Sequence, residues 1–93
     1  MKVFAVTYHY CVSEPELNEV RPLHRQWLGG LLEQGILLAS GPMLDSPNAL
    51  LIFKAESASE LSELLDNDPF DVAGFIDSRT IERWNPVFGP FSS

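Results

Sequence analysis

The sequence predicts an α+β domain in which four strands and two helices follow one another in the order β-α-β-β-α-β. Three observations support this prediction. Residues 2–10 are dominated by β-branched and aromatic side chains, which is typical of a strand. A segment with helical periodicity lies between Pro22 and Gly35, and residues 57–60 form a helix capping box, Ser-Ala-Ser-Glu. Since the chain has only 93 residues, we expect one domain over residues 1–93.

The first strand and the first helix are the clearest elements. The strand covers Lys2 to Tyr10 and is largely apolar on both sides, which predicts cover on both faces of its sheet. We expect the helix to begin near Arg21-Pro22, because proline suits a first helical turn, and to run to Gln34, before Gly35. Residues 13–16, Ser-Glu-Pro-Glu, are either a polar loop or a first helical turn.

The middle of the sequence predicts a β-hairpin. Ile36 to Ser40 is a short apolar strand that we expect to be broken by Gly41-Pro42. Asp45-Ser46-Pro47-Asn48 has the composition of a turn, and Ala49 to Lys54 is the returning strand.

The second half completes the predicted order. Ser57 caps a helix and Glu60 reaches back to it. Residues 67–70 start a short helical turn that ends near Gly74, and Ser78 to Trp84 is the last strand. Right-handed crossovers fold such a chain into a four-stranded antiparallel sheet with both helices on one face, the ferredoxin-like plait.

This plait leaves one sheet face uncovered. Apolar side chains of the first strand and of residues 50–53 would be exposed there, in a patch too large to leave in water. The 45% share of hydrophobic residues is also more than a small monomer needs. We therefore expect a homodimer in which two sheets stack face to face.

Charge and cysteine content narrow the classes of partner. Six Lys and Arg against thirteen Asp and Glu give a net charge of −7, which disfavours nucleic acid and anionic membranes as partners and leaves small molecules open. Cys11 is the only cysteine, so no disulfide forms within the chain. With no signal peptide or membrane span in the sequence, we expect a cytoplasmic protein.

His24 is the candidate functional residue of the long helix. Residues three, four or seven apart share a helix face, which places His24 in the apolar stripe of Val20, Trp27, Leu28 and Leu31. An imidazole in apolar surroundings can donate or accept a proton at physiological pH. The alternative is a structural histidine that donates a ring N–H to a backbone carbonyl.

Several short motifs resemble those of a known family. They are Arg21-Pro22-Leu23-His24, Ser40-Gly41-Pro42 followed by Asp45, Asp68-Pro69-Phe70 followed by Ala73-Gly74, and Trp84-Asn85-Pro86. In this order and spacing they resemble the YCII-related (YciI-like) family over nearly the whole chain. The resemblance implies a dimeric ferredoxin-like α/β barrel with a His–Asp pair in a cleft. At least one member of that family is a dehydrochlorinase for a chlorinated hydroxyhydroquinone.

By motif match, the resemblance assigns the catalytic pair to His24 and Asp68. Asp68 precedes Pro69 and is also a good N-cap, which stabilises a helix by about 1 kcal/mol, and the two roles are compatible. Asp45 is the alternative partner of His24, or else a turn residue before Ser46-Pro47. In such a pair the carboxylate orients the ring and the second ring nitrogen moves substrate protons.

Other residues are candidates for substrate contact. Arg21 or Arg25 would bind an anion or a phenolate. Aromatic walls are expected from Tyr8, Trp27, Phe70 and Trp84, with ordinary packing as the alternative for these residues. The two histidines lack metal-ligand spacing, so we expect no metal, and the proton chemistry requires no other cofactor.

The sequence is compatible with two functions. The first is a small cofactor-independent lyase, such as a dehydrochlorinase, or an isomerase that acts on a small cyclic or aromatic compound through His24 and Asp68. The second is a non-catalytic dimeric module that binds a small molecule or another protein in the same cleft. A His–Asp hydrogen bond that opens onto a wet pocket favours the enzyme, whereas a fully buried His24 bonded to backbone favours the module.

Overall fold

The computed structural model describes residues 1–91, and its elements follow the predicted order. The first half contains strand β1, helix α1 and strands β2 and β3, over Lys2–Tyr10, Glu14–Glu33, Leu37–Pro42 and Asn48–Ala55. The second half contains helix α2, the short helix α3 and strand β4, over Ala58–Leu65, Pro69–Val72 and Ile76–Arg83.

The strands form one antiparallel sheet in the order β2-β3-β1-β4, with the helices on one side, which confirms the predicted ferredoxin-like fold. β1 pairs along its length with β3 and β4. Because side chains alternate along a strand, one face of β1 carries Phe4, Val6 and Tyr8. These three side chains join the buried core with leucines from both main helices, Leu28, Leu31, Leu61 and Leu65.

Helix α1 begins at Glu14, well before the predicted start at Arg21. The sequence was compatible with either a polar loop or a first helical turn at residues 13–16, and the structure has the helical turn. Ser13 is the N-cap and Pro15 occupies the first turn, where a proline does not interrupt the hydrogen bonds of a helix. The prediction assigned this role to the wrong proline.

Pro22 consequently lies inside α1, where it cannot donate to the preceding turn. The helix continues past Pro22 because Leu17 is also buried, so that the apolar face of the helix begins about one turn before Val20, where the predicted stripe started. The predicted end is confirmed: α1 stops at Glu33, and Gly35 has the left-handed φ of +77°. No helix within residues 1–91 is both long and apolar enough to cross a membrane.

Strand β2 continues through Gly41 and Pro42, where a break was predicted. These residues lie opposite Leu50 and Ala49 of β3. β2 is an edge strand, and a proline is tolerated there because one side of the strand has no neighbour that needs its N–H. The hairpin itself is confirmed.

Both predicted helix caps are present. The Ser57 hydroxyl accepts the backbone N–H of Glu60 at 3.1 Å, and Asp68 Oδ1 accepts the backbone N–H of Phe70 at 2.9 Å. Gly74, with a φ of +77°, follows α3 as expected. The chain then enters β4, which begins two residues earlier than predicted.

The sheet face opposite the helices is less apolar than predicted. Thr7 and His9 share it with Val3, and β4 adds Ser78, Thr80 and Glu82. Val3 and Ile52 are already buried within the single chain, whereas Leu50 is exposed. The chain by itself therefore covers part of the patch from which a homodimer was predicted.

Candidate active site

Asp68 is buried at the junction of α2 and α3. Its backbone N–H donates to the carbonyl of Leu65 at 3.0 Å, which turns the chain out of α2, and its side chain caps α3. No part of Asp68 is exposed to solvent. A buried carboxylate requires hydrogen-bond donors around it, because an unpaired buried charge is strongly destabilising.

Two side chains from distant parts of the sequence supply those donors. His24 Nδ1 lies 2.8 Å from Asp68 Oδ1, and the Tyr8 hydroxyl donates to Oδ2 at 2.9 Å. With the amide of Phe70, the carboxylate has three hydrogen-bond partners. We refer to Tyr8, Asp68 and His24 as the Tyr–Asp–His cluster.

The bond to Asp68 decides which nitrogen of His24 is free. An ionised carboxylate only accepts, so Nδ1 of the neutral ring carries the proton and Nε2 carries the lone pair. Nε2 has no hydrogen-bond partner among residues 1–91. Every fully buried side-chain nitrogen or oxygen in that range does have a hydrogen-bond partner, so Nε2 cannot be fully buried. Nε2 must therefore reach the small part of the His24 surface, 8%, that remains exposed.

Phe70 fixes the plane of the imidazole. The two rings stack with their centroids 4.0 Å apart and an angle of 17° between their planes. Phe70 also meets Tyr10 edge to face, at 5.6 Å and 80°. The stacking and the Nδ1 hydrogen bond together leave His24 one orientation, which is the rigidity that a functional side chain requires.

Both phenols near the carboxylate remain protonated at neutral pH. Burial, assisted by the charge of Asp68 and the hydrogen bond to it, raises the pKa of Tyr8 far above the ordinary value of 10.0. Burial, again with the charge of Asp68, raises the pKa of Tyr10 to about 12. The Tyr8 hydroxyl therefore keeps its proton and donates a hydrogen bond to Asp68 throughout the physiological range.

A cavity of about 560 Å³ adjoins His24, which is a size suited to a small molecule. The first turns of α1, the end of β1, the β2–β3 hairpin and α3 form its walls. The apolar lining includes Tyr10, Leu17, Leu28, Met43, Leu51 and Phe70, and the polar lining includes Ser13, Ser40, Ser46 and Asn48.

The cavity also carries two arginines, although the chain as a whole is acidic. Arg21 is neutralised by Glu14 at 3.2 Å and also donates to Asn18. Arg25 has no hydrogen bond or ion pair within residues 1–91. The guanidinium of Arg25 is therefore the cation at this cavity that is available to a ligand.

The structure brings most of the predicted site residues together. His24 and Asp68 are in contact, and Arg21, Arg25 and Phe70 line the cavity with His24. α3 packs against α1, which places Asp68 beside His24.

Three predicted residues lie elsewhere, and one of them is Trp84, which is exposed and meets Phe91 edge to face. Trp27 is half-buried against the hydrophobic core rather than in the cavity wall, so packing is its observed role. Asp45 is exposed in the loop between β2 and β3 and has no contact with His24. The positions of Trp27 and Trp84 give no support to the predicted aromatic walls, and Asp45 is not the carboxylate that meets His24.

Tyr8 is the residue of this site whose role the sequence did not indicate. It was expected, at most, to form an aromatic wall, and the structure shows it bonded to the candidate catalytic carboxylate instead. The available signal was its hydroxyl on a strand face that it shares with Phe4, Val6 and Tyr10, because a buried tyrosine hydroxyl usually has a hydrogen-bond partner.

Arg79 of β4 holds the segment that carries Asp68. Its guanidinium contacts Asp66 at 2.7 Å and Asp71 at 3.2 Å, and donates to the carbonyl of Ser62 at 3.0 Å. It thereby ties α2 and α3 to the sheet on both sides of Asp68.

The remaining histidine and the cysteine lie apart from this site. His9 Nδ1 contacts Asn48 Oδ1 at 3.0 Å, and Cys11 is exposed, with its thiol near the carbonyl of Gly74. In the part of the chain that the structure describes, no three His, Cys, Asp or Glu side chains come together as metal ligands would.

Comparison with solved structures finds similar proteins. The chain is similar to 5-chloro-2-hydroxyhydroquinone dehydrochlorinase from Burkholderia phenoliruptrix, whose structure is a complex with 2,5-dihydroxybenzoquinone. The TM-score is 0.76 and the identity 25%, over 88% of this chain and 92% of that chain. No curated protein matches the sequence.

Two further structures are similar in fold alone. A NIPSNAP domain protein from Burkholderia xenovorans has a TM-score of 0.59 and 16% identity, over 97% of this chain and 99% of that chain. A protein from Agrobacterium tumefaciens has a TM-score of 0.56 and 13% identity, over 99% and 97%. The family model of the YCII-related domain matches residues 1–85, nearly the whole chain. The chain therefore belongs to the YCII-related domain family.

Proposed function

We propose that the protein is a small lyase or isomerase that moves protons on a small cyclic or aromatic compound, with His24 as the acid/base and Asp68 as the residue that orients it. The main supporting observation is that a carboxylate-bound imidazole has its free nitrogen, Nε2, beside a cavity of about 560 Å³. The similarity to the dehydrochlorinase makes elimination of HCl from a hydroxylated ring the leading reaction.

Such an elimination requires a group that accepts a proton and then returns it. Nε2 of His24 would accept the proton of a ring hydroxyl and pass it to the ring carbon that carries chlorine. Chloride then leaves with the electron pair of the C–Cl bond while a second hydroxyl loses its proton, so that a quinone and HCl are formed. Asp68 stabilises the protonated imidazole between these steps, and acid–base catalysis of this kind contributes about 10²–10⁴-fold to the rate.

The charges around the cavity favour a substrate with an acidic hydroxyl. The free guanidinium of Arg25 would bind a phenolate oxygen of the substrate through a charge-assisted hydrogen bond. Arg21 contributes less because Glu14 already neutralises it. Phe70 and Tyr10 supply flat apolar surface for the ring.

We also propose that two chains form a homodimer through the sheet face opposite the helices. The support is the exposed Leu50 on that face, which stacking of two sheets would remove from water. Light scattering at micromolar concentration should give about twice the chain mass of 10.4 kDa. A monomer that persists under these conditions would contradict this part of the proposal.

The test is chloride release from 5-chloro-2-hydroxyhydroquinone and related chlorinated hydroxyaromatics. We expect turnover by the wild-type protein and a loss of about 100-fold or more in His24→Gln. His9→Gln is the matched control, because it removes the chain's other imidazole, which lies on the opposite sheet face.

Two outcomes would contradict the proposal in different ways. Full turnover in His24→Gln would remove His24 from the chemistry. Binding of the compound without chloride release from any variant would favour the non-catalytic binding module.

A further inference from the structure

We propose that Tyr8 is a positioning residue that acts through Asp68 to lower the affinity of Nε2 of His24 for a proton. The inference rests on the proposed function of His24 as a base, and it adds a third residue to the predicted pair. Tyr8 does not line the cavity, so it acts on the reaction without touching the substrate.

The geometry separates the roles of the two carboxylate oxygens. Oδ1 contacts His24 Nδ1 and the amide of Phe70, whereas Oδ2 has the Tyr8 hydroxyl as its only partner among residues 1–91. Neither Tyr8 nor Asp68 has any exposed surface, so water does not replace this hydroxyl if it is removed. Among residues 1–91, Tyr8 is therefore the one side chain other than His24 that hydrogen-bonds to Asp68, and it does so through the oxygen that His24 does not use.

The direction of the effect follows from the hydrogen bond. A donor that binds a carboxylate spreads its negative charge and lowers its affinity for a proton. If Tyr8 is removed, the Asp68–His24 pair attracts a proton more strongly. That proton gives either an imidazolium beside a carboxylate or a neutral imidazole beside a carboxylic acid, and Nε2 carries hydrogen in both forms. A protonated Nε2 cannot act as a base.

The other charged groups around the Asp68–His24 pair are the same in the wild-type protein and in a variant that lacks the Tyr8 hydroxyl. They are Glu14, Arg21 and Arg25 on α1, Asp71 on α3 and Arg79 on β4, together with the phenol of Tyr10 on β1. None of them donates to Asp68. A change in the proton affinity of the pair on loss of the Tyr8 hydroxyl can therefore be attributed to that hydroxyl.

The first test is Tyr8→Phe, with the protonation of Nε2 followed by ¹⁵N NMR across a pH series. We expect the Nε2 signal to keep its protonated position up to a pH about one unit higher than in the wild-type protein. The matched control is Val6→Ala, which perturbs the same face of β1 without touching the pair and should leave this pH dependence unchanged. An unchanged Nε2 response in a folded Tyr8→Phe would overturn the proposal.

A second variant tests the opposite direction and protects against loss of the fold. The chain has two tyrosines, so 3-fluorotyrosine incorporated into Tyr10→Phe labels Tyr8 alone. The fluorinated phenol is a stronger donor, and Nε2 should lose its proton at a lower pH than in unlabelled Tyr10→Phe. General structural damage does not produce opposite shifts in two variants, and a shift in the same direction as Tyr8→Phe would contradict the inference.

The NMR readout also separates this proposal from the proposed function. Ring protonation is measured without a substrate, so it tests the role of Tyr8 even if no compound is turned over. When a substrate is found, the alkaline shift in Tyr8→Phe should be repeated in the pH profile of the rate. Absence of turnover together with the expected NMR shifts would contradict the catalytic function alone.

Discussion

The two histidines of this chain make the same type of bond in two very different surroundings. His24 Nδ1 contacts Asp68 Oδ1 at 2.8 Å, and His9 Nδ1 contacts Asn48 Oδ1 at 3.0 Å. His24 lies on the helix side of the sheet, in the core and beside a cavity. His9 lies on the opposite face, where neighbouring β1 and β4 residues are polar.

The difference shows that the environment, rather than the residue, makes a candidate base. The partner of His24 carries a charge, has no exposure to water and accepts two further hydrogen bonds. The partner of His9 is a neutral amide with partial exposure, and an amide supports an imidazolium less well than a carboxylate does. Only His24 therefore combines a fixed tautomer with a nitrogen that faces a cavity.

The largest expected effect is the loss of stability when Asp68, the partner of His24, is replaced by alanine. The same change at Asn48, the partner of His9, gives the comparison. Asp68→Ala leaves the Tyr8 hydroxyl, the amide of Phe70 and Nδ1 of His24 without their acceptor, and should cost about 3–5 kcal/mol of unfolding free energy. Asn48→Ala should cost about 1 kcal/mol or less, since water can replace the amide. Urea unfolding measures both, and similar losses would mean that the two regions do not differ as described.

A conservative change at Asp68 should separate its structural and chemical roles. Asparagine can still cap α3 through its side-chain oxygen. Its NH₂ group, however, takes the place of a carboxylate oxygen that accepts a hydrogen bond in the wild-type protein. We expect Asp68→Asn to lose about 1–2 kcal/mol of stability and about 100-fold in turnover, because the negative charge beside His24 is gone. His9→Gln should retain its turnover. A fully active Asp68→Asn would show that Asp68 is only a cap.

Alkaline pH should destabilise the His24 region through its tyrosines. A phenol whose folded pKa is raised contributes stability that is complete below its unfolded pKa and is lost as the pH rises through the folded pKa. For Tyr10 this window runs from the ordinary value of 10.0 to about 12. Between pH 8 and pH 11, the urea midpoint should therefore decrease less in Tyr10→Phe than in the wild-type protein. An equal decrease in both proteins would contradict the raised pKa of Tyr10.

The smallest effect is expected at the cavity rim. Arg25→Gln should raise KM about tenfold for a phenolic substrate, since one charge-assisted hydrogen bond is lost, and affect kcat much less. Arg83→Gln, at an exposed arginine outside the cavity, is the matched control. If kcat falls and KM does not, Arg25 acts in the transition state rather than in binding.

Local features were predictable wherever a short stretch of sequence decides them. Gly35 ends α1 because glycine readily adopts the left-handed conformation, and Ser57 and Asp68 cap the helices that follow them because their oxygens reach backbone N–H groups two or three residues away. The predicted face of His24 was correct for the same reason, since helix periodicity determines it. The start of α1 was wrong because Pro15 and Pro22 both suit a first turn, and only burial of Leu17 in the folded core decides between them.

What the sequence determined by itself was therefore the order of the elements, their caps and the helix face that carries His24. The tertiary structure alone decided that Asp68 rather than Asp45 meets His24, and that Tyr8 donates to the same carboxylate. It also decided that, of the predicted substrate contacts, Arg25 lines the cavity and Trp27 does not. The partners of Asp68 lie 44 and 60 residues away in the sequence. Such contacts depend on how the helices pack on the sheet, and no local preference encodes that packing, because the free energy of burial belongs to the whole core.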